Sequence, residues 1–134
     1  VNDGPKNCKY IFLGALEKRD PKILKHISGY LANLMNQPHL SKIPLSTMAD
    51  NFYSTDYNPD ISLASAINST AGNENLPFIM SIIKPLKEKG LDQLSYEEKR
   101  IIKEYLTKTT QPWAKELRDW VDGKYNVEKE CLTQ

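Results

Sequence analysis

Apolar residues along this chain recur at helical spacing, and the polar residues between them fall on opposite faces. Cys8, Ile11, Phe12, Ala15 and Leu16 repeat at i, i+3, i+4, i+7 and i+8, which predicts a first amphipathic helix entered near Pro5 and Asn7. Asp20-Pro21 supplies a cap followed by proline at the first helical position. A longer stripe follows in Ile23, Leu24, Ile27, Tyr30, Leu31, Leu34 and Met35, and Pro38 stops it. Ser46 caps a short helix bearing Met48, Ala49, Phe52 and Tyr53, and Asn58-Pro59 repeats the cap-plus-proline signal ahead of Ile61, Ala64 and Ile67. Gly72 closes that element. Asn75 opens the next, with Leu76, Ile79, Met80, Ile83 and Leu86 on one face and a break expected near Ile82–Lys84 because Pro85 lies inside the pattern. Gly90 stands where a C-terminal cap belongs. Ser95-Tyr96-Glu97-Glu98 is a capping box leading into Ile101, Ile102, Tyr105 and Leu106. Gln111-Pro112 starts a last strong helix with Trp113, Ala114, Leu117, Trp120 and Val121, ended by Gly123, and Asn126–Leu132 adds a further turn or two. Trp113 and Trp120, seven positions apart, stack on the core face.

No run alternates over enough residues to force a strand, and no hairpin turn joins β-branched runs. The pattern predicts an all-α fold: one domain over residues 1–134, a bundle of six to eight short amphipathic helices. Composition agrees. The chain has 134 residues, 40% of them hydrophobic, which is too apolar for a disordered segment. Its 18 Lys+Arg against 17 Asp+Glu give +1, without the basic excess of a nucleic-acid binder. Its longest apolar runs, Tyr10–Leu13 and Pro77–Met80 with Ile82–Ile83, are far short of the roughly 20 residues of a membrane span.

Three features point to a secreted protein. The start at Val1 is what a removed signal peptide would leave, Asn68-Ser69-Thr70 is an acceptor sequon for N-glycosylation at Asn68, and the two cysteines stand at opposite ends. A bridge between Cys8 and Cys131 would tie the termini, and such a long closure is worth about 4–5 kcal/mol on the loop-entropy model. CxxC spacing for redox chemistry is absent. His26 falls on a polar helix face and His39 in a loop, so no metal set emerges from them. Glu97 and Glu98 serve their helix's first turn, while Glu116, Asp119 and Asp122 alternate with Lys115 and Arg118 on a solvated face. With no GxSxG, GxxxxGK[ST] or GxGxxG, no catalytic residue and no cofactor are nominated, and the chain is expected not to be an enzyme.

Charge is distributed unevenly. Residues 1–42 carry +4, Ile43–Ile83 has no Lys or Arg and carries −4, and the remainder carries +1. Within the acidic centre Phe52, Tyr53, Asp56 and Tyr57 form a candidate partner-binding patch, because tyrosine gives contact area at low entropic cost. The same stretch also reads as a turn-rich connection. Two function classes remain: a binding protein that blocks an extracellular macromolecule, and a carrier of a small apolar ligand held between helices. Cys8 opening the first amphipathic helix, Asp20-Pro21 turning into the second and Cys131 at the tail are similar to the plan of small salivary proteins of blood-feeding insects, of the mosquito albicin/anophensin type. That resemblance implies an inhibitor of a host plasma cascade, complement first and contact-phase coagulation second, acting by protein–protein binding.

Overall fold

From Lys42 onward the chain is helical where the spacing predicts it. A computed structural model describes residues 2, 4–17 and 19–127. Seven α-helices lie among them: α1 (Gly4–Asn7), α2 (Lys42–Tyr53), α3 (Pro59–Ala71), α4 (Leu76–Glu88), α5 (Gly90–Gln93), α6 (Tyr96–Leu106) and α7 (Pro112–Val121). Two 3-10 turns, Pro21–His26 and Asn73–Asn75, complete the set, and no strand occurs among the described residues. The fold is all-helical.

Two of the expected caps form, whereas Ser46, expected to cap a helix, lies inside α2, and Gly90, expected to close one, stands at the start of α5. Asn58 Oδ1 accepts the amides of Asp60 and Ile61 at 3.0 and 3.1 Å, opening α3. Ser95 and Glu98 exchange both bonds of the capping box at the head of α6. Pro85, however, does not interrupt α4, which runs on to Glu88. It lies in the last turn, and Ser81, whose carbonyl would have received the missing bond, is exposed to water.

α2 packs on α3, α3 on α4 and α6 on α7. Their shared core includes Ile43, Ile67, Ile79, Leu86, Leu106 and both tryptophans, all nearly or fully buried. Phe78 of α4 stacks on Tyr105 of α6 with ring centroids 3.7 Å apart, and the Tyr105 hydroxyl donates to Asn75 Oδ1. Arg118 closes the end of α6 by donating to the Leu106 and Thr109 carbonyls at 2.6 and 3.3 Å.

The N-terminal third departs from expectation. Neither the helix built on Cys8–Leu16 nor the long one from Ile23 to Met35 forms. Residues 11–17 form no regular element, with Ile11 and Leu13 fully buried and Phe12 half-buried. Asp20 does cap, its Oδ1 accepting the Lys22 amide, but the element it starts is only the 3-10 turn Pro21–His26. Residues 27–35 again form no regular element, leaving the turn at Ile27 in extended backbone. A short apolar run fits a buried strand-like segment as well as one helix face, and here tertiary contacts decide. The Ile11 amide donates to the Leu86 carbonyl, the Leu91 amide to the Lys9 carbonyl at 2.7 Å, and the Leu16 amide to Thr47 Oγ1. Gly90 makes the crossing feasible: at φ +66°, a Cβ there would lie 2.8 Å from both the Lys9 carbonyl oxygen and the Tyr10 ring.

The expected bridge between Cys8 and Cys131 finds no support. Cys8 is fully buried as a free thiol that donates to the Pro5 carbonyl at 3.6 Å, and Cys131 lies outside the described residues, as does most of the expected closing turn Asn126–Leu132. What anchors the N-terminal segment instead is Trp120, whose indole N–H donates to the Cys8 carbonyl at 2.9 Å.

The face of α7 expected to be solvated is partly buried. Asp119 keeps 12% of its side chain exposed and takes ion pairs from Lys115 and Lys124. The Lys115 hydrogen bond, then that of Lys124, holds its carboxyl below the usual aspartate range. With the folded-state pKa depressed, this contribution is complete above the unfolded value of about 4 and is lost as pH falls through the folded one. Asp119→Asn should therefore flatten the acid limb of a melting-temperature profile below about pH 4. A variant whose acid limb overlays the parent's would remove Asp119 from that account.

Candidate functional site

The two irregular runs and α2 enclose a groove. Phe12 and residues 14–16 form one wall, residues 32–35 the other, and Ser41, Pro44, Leu45 and Met48 the third side, around a volume of about 200 Å³. The lining is mostly apolar. Phe12 and Met35 join the two walls directly, the Phe12 amide lying 3.2 Å from the Met35 sulfur. Ser41 is buried and committed: its Oγ receives the Met35 amide and donates to the Gln37 carbonyl at 2.8 Å. Asn33 stands exposed on the groove wall, an amide able both to donate and to accept.

Behind the groove a polar network fixes the turn that precedes α2. Buried Asn2 donates to the Tyr10 carbonyl and to Gln37 Oε1, and its own Oδ1 accepts the Asn36 amide at 2.8 Å. Glu116 reaches across from α7, and its two carboxylate oxygens accept the His39 and Leu40 amides, each at 2.9 Å. A buried carboxylate thus sits at the head of α2, where the helix dipole favours negative charge. Sequence reasoning assigned Glu116 to a solvated surface, yet its spacing held the signal: it lies three residues after Trp113 and four before Trp120, on their face.

The residues nominated from sequence are not all brought together. Tyr53 is 84% exposed, while Phe52 turns inward enough to tilt against Tyr30 with ring centroids 5.1 Å apart. The Tyr57 hydroxyl donates to the Leu16 carbonyl at 2.6 Å, and burial pushes its phenol above the ordinary tyrosine range. Asp56 lines a separate cleft of about 290 Å³ with Asp50, Tyr57 and Ser62, the Ser62 hydroxyl donating to Asp50. Asn68 is exposed near the end of α3. Glu17, Asp60 and Glu88 share a third cleft with Lys84 and Lys87, all exposed. No set of three or more metal-ligating side chains gathers among the described residues, and none of their helices is long and apolar enough to cross a membrane.

A family model described as β-N-acetylglucosaminidase matches residues 1–84, which include every residue lining the groove. Among solved structures, an O-GlcNAc hydrolase mutant from Thermobaculum terrenum matches over 93% of this chain, with TM-score 0.71 and 26% identity. The match covers 33% of that chain, so the present sequence spans about a third of the hydrolase's length. No curated protein matches. These findings overturn the likeness to mosquito salivary inhibitors and, with it, the plasma-cascade role, the apolar-carrier alternative and the expectation of no enzymatic connection. The likeness rested on the helical plan and sparse cysteines, the carrier reading on apolar residues between helices, and the non-enzymatic one on missing catalytic motifs. The family match takes in the two irregular runs, α2 and α3 together, and the chain belongs to the β-N-acetylglucosaminidase family.

Proposed function

We propose that this chain works as part of a β-N-acetylglucosaminidase and that the groove between residues 12–16 and 32–35 receives the N-acetylglucosamine end of the substrate. The observation that carries the reading is the family match over residues 1–84, within which the whole groove lies. Its chemistry suits the ligand. An acetamido sugar offers a methyl and apolar C–H faces alongside hydroxyls and an amide. Phe12, Leu16 and Met35 match the former, and Asn33 can exchange hydrogen bonds with the latter. The Thermobaculum relative is an O-GlcNAc hydrolase, which makes a β-linked N-acetylglucosamine on a protein side chain the substrate class to try first.

Glycoside hydrolysis ordinarily takes two carboxyl groups flanking the scissile bond. The groove lining contains no carboxylate among the described residues. The acid and its partner are therefore assigned to the larger enzyme body that the Thermobaculum hydrolase carries beyond the matched third, with this chain binding and orienting the sugar.

The test is a chimera in which this chain replaces the matched third of the Thermobaculum hydrolase. It should release 4-nitrophenol from 4-nitrophenyl N-acetyl-β-glucosaminide. Asn33→Ala should lower kcat/KM by about 10- to 100-fold, or about 1.4–2.7 kcal/mol of transition-state binding. Melting temperature should stay within about 1 °C, since Asn33 is exposed. An unchanged kcat/KM in a folded variant removes the groove from the site.

A further inference from the structure

The groove wall formed by Phe12 and residues 14–16 is hydrogen-bonded through side chains. Among the described residues, residues 12–17 make no backbone–backbone hydrogen bond, so no helix or sheet ladder fixes their path. Gly14 stands in this wall. Its φ lies outside the left-handed region, and a Cβ added there would meet nothing within 4 Å. Neither backbone strain nor packing within this chain therefore calls for glycine at that position. A glycine in a pocket wall lets another molecule approach the main chain closely. A ligand there meets backbone, not a side chain that could swing aside, and the fit depends on where the peptide units sit.

Two side chains grip this wall at Leu16. The Tyr57 hydroxyl donates to the Leu16 carbonyl at 2.6 Å, and the Leu16 amide donates to Thr47 Oγ1 at 3.0 Å. Thr47 is fully buried, and its own hydroxyl donates to the Pro44 carbonyl at 2.9 Å. Leu16 and Pro44 both line the groove, so Thr47 ties the irregular wall to the α2 side. The wall's other hydrogen bond, from the Phe12 amide, goes to the Met35 sulfur, a weak acceptor. Thr47 and Tyr57 themselves stand outside the groove lining and act through Leu16.

Resting on the glycosidase reading, we infer that Tyr57 and Thr47 are positioning residues whose grip on Leu16 holds the 14–16 wall where the N-acetylglucosamine end of the substrate fits. A wall held only part of the time binds with an affinity reduced by the held fraction. The grip serves the bound sugar equally before and during hydrolysis, so its loss raises KM and leaves kcat in place.

Tyr57→Phe in the chimera described above removes one hydroxyl and tests this. KM for 4-nitrophenyl N-acetyl-β-glucosaminide should rise about 3- to 10-fold, the worth of one hydrogen bond, with kcat within about twofold. A tyrosine that serves only stability gives another signature: partial unfolding lowers the active fraction, and with it kcat, at constant KM. Thr47→Val should repeat the rise in KM, and Thr47→Ser, which keeps the hydroxyl, should restore KM to within about twofold of the parent. The Tyr57→Phe/Thr47→Val double variant should fall short of the product of the single effects, because both act on one residue. Parent KM in a folded Tyr57→Phe variant overturns the proposal, and so does a loss of kcat at constant KM. Amide exchange in the isolated chain gives a second measurement. There the Leu16 amide should exchange about 3- to 10-fold faster in Tyr57→Phe, with smaller changes across α3, α4 and α7. A Leu16 amide that keeps its parent rate overturns the grip whatever the chimera does. A folded parent chimera without activity fails the glycosidase reading, and the Leu16 amide then decides the grip by itself. An active chimera whose Tyr57→Phe variant keeps the parent KM fails the grip and spares the reading.

Discussion

Trp120→Ala should destabilise the chain by about 3–5 kcal/mol, because it empties a fully enclosed indole site in the core. Packing is only part of the loss. The indole N–H is what holds the Cys8 carbonyl, so truncation also strands a buried acceptor and loosens the crossing segment at its first anchor. Trp120→Phe separates the two effects: it restores most of the ring volume without the donor and should cost about 1–2 kcal/mol. Urea unfolding gives the energies. Trypsin cleavage at Lys9 reports the segment itself, since Lys9 is partly buried and its carbonyl is bonded to the Leu91 amide. Cleavage should be faster in Trp120→Ala than the change in global stability alone predicts. If Trp120→Phe equals the parent in both assays, the Cys8 bond is incidental.

Glu116→Ala should be the other large loss, about 2–4 kcal/mol, because the His39 and Leu40 amides each lose a charge-assisted partner in a buried setting. Glu116→Gln is the informative variant. It is nearly isosteric, but it keeps one acceptor oxygen and turns an NH₂ donor against the second amide, so it should recover less than half of the deficit. A surface glutamate replaced by glutamine would change stability by no more than about 0.5 kcal/mol. Recovery to that level would mean that the carboxylate does not act as a double cap. The effect should also reach the groove, since these two amides precede α2, whose first turns supply Pro44 and Leu45 to the wall.

Much of the helical part is written locally. Asn58-Pro59, the Ser95–Glu98 box and Gln111-Pro112 start helices through contacts within four residues, so short-range patterns suffice to find them. Residues 8–35 are different. The spacing of Cys8, Ile11, Phe12, Ala15 and Leu16 is degenerate between a helix face and a buried irregular run, and partners as far as 112 residues away choose the latter. The stripe from Ile23 to Met35 misleads for a second reason. Leu31, Tyr30 and Leu34 do not face this chain's core, so their apolar character says nothing about a helix packing on it. The groove was illegible as a consequence, because two of its three walls are those misread segments. Glu116 was legible in position but not in kind: its register marks it as inward-facing, while its charge argues for water until the His39 and Leu40 amides are placed beside it.

The crossing at Gly90 bears on how the chain is made. Residues 8–17 leave the ribosome before the groups that hold them: the Leu86 carbonyl and Leu91 amide come with the end of α4 and the start of α5, and Trp120 only with α7. Synthesis at about 5–20 residues per second leaves Ile11 and Leu13 without their final partners for several seconds. During that interval the apolar strap lacks its final cover, and its docking waits for α7.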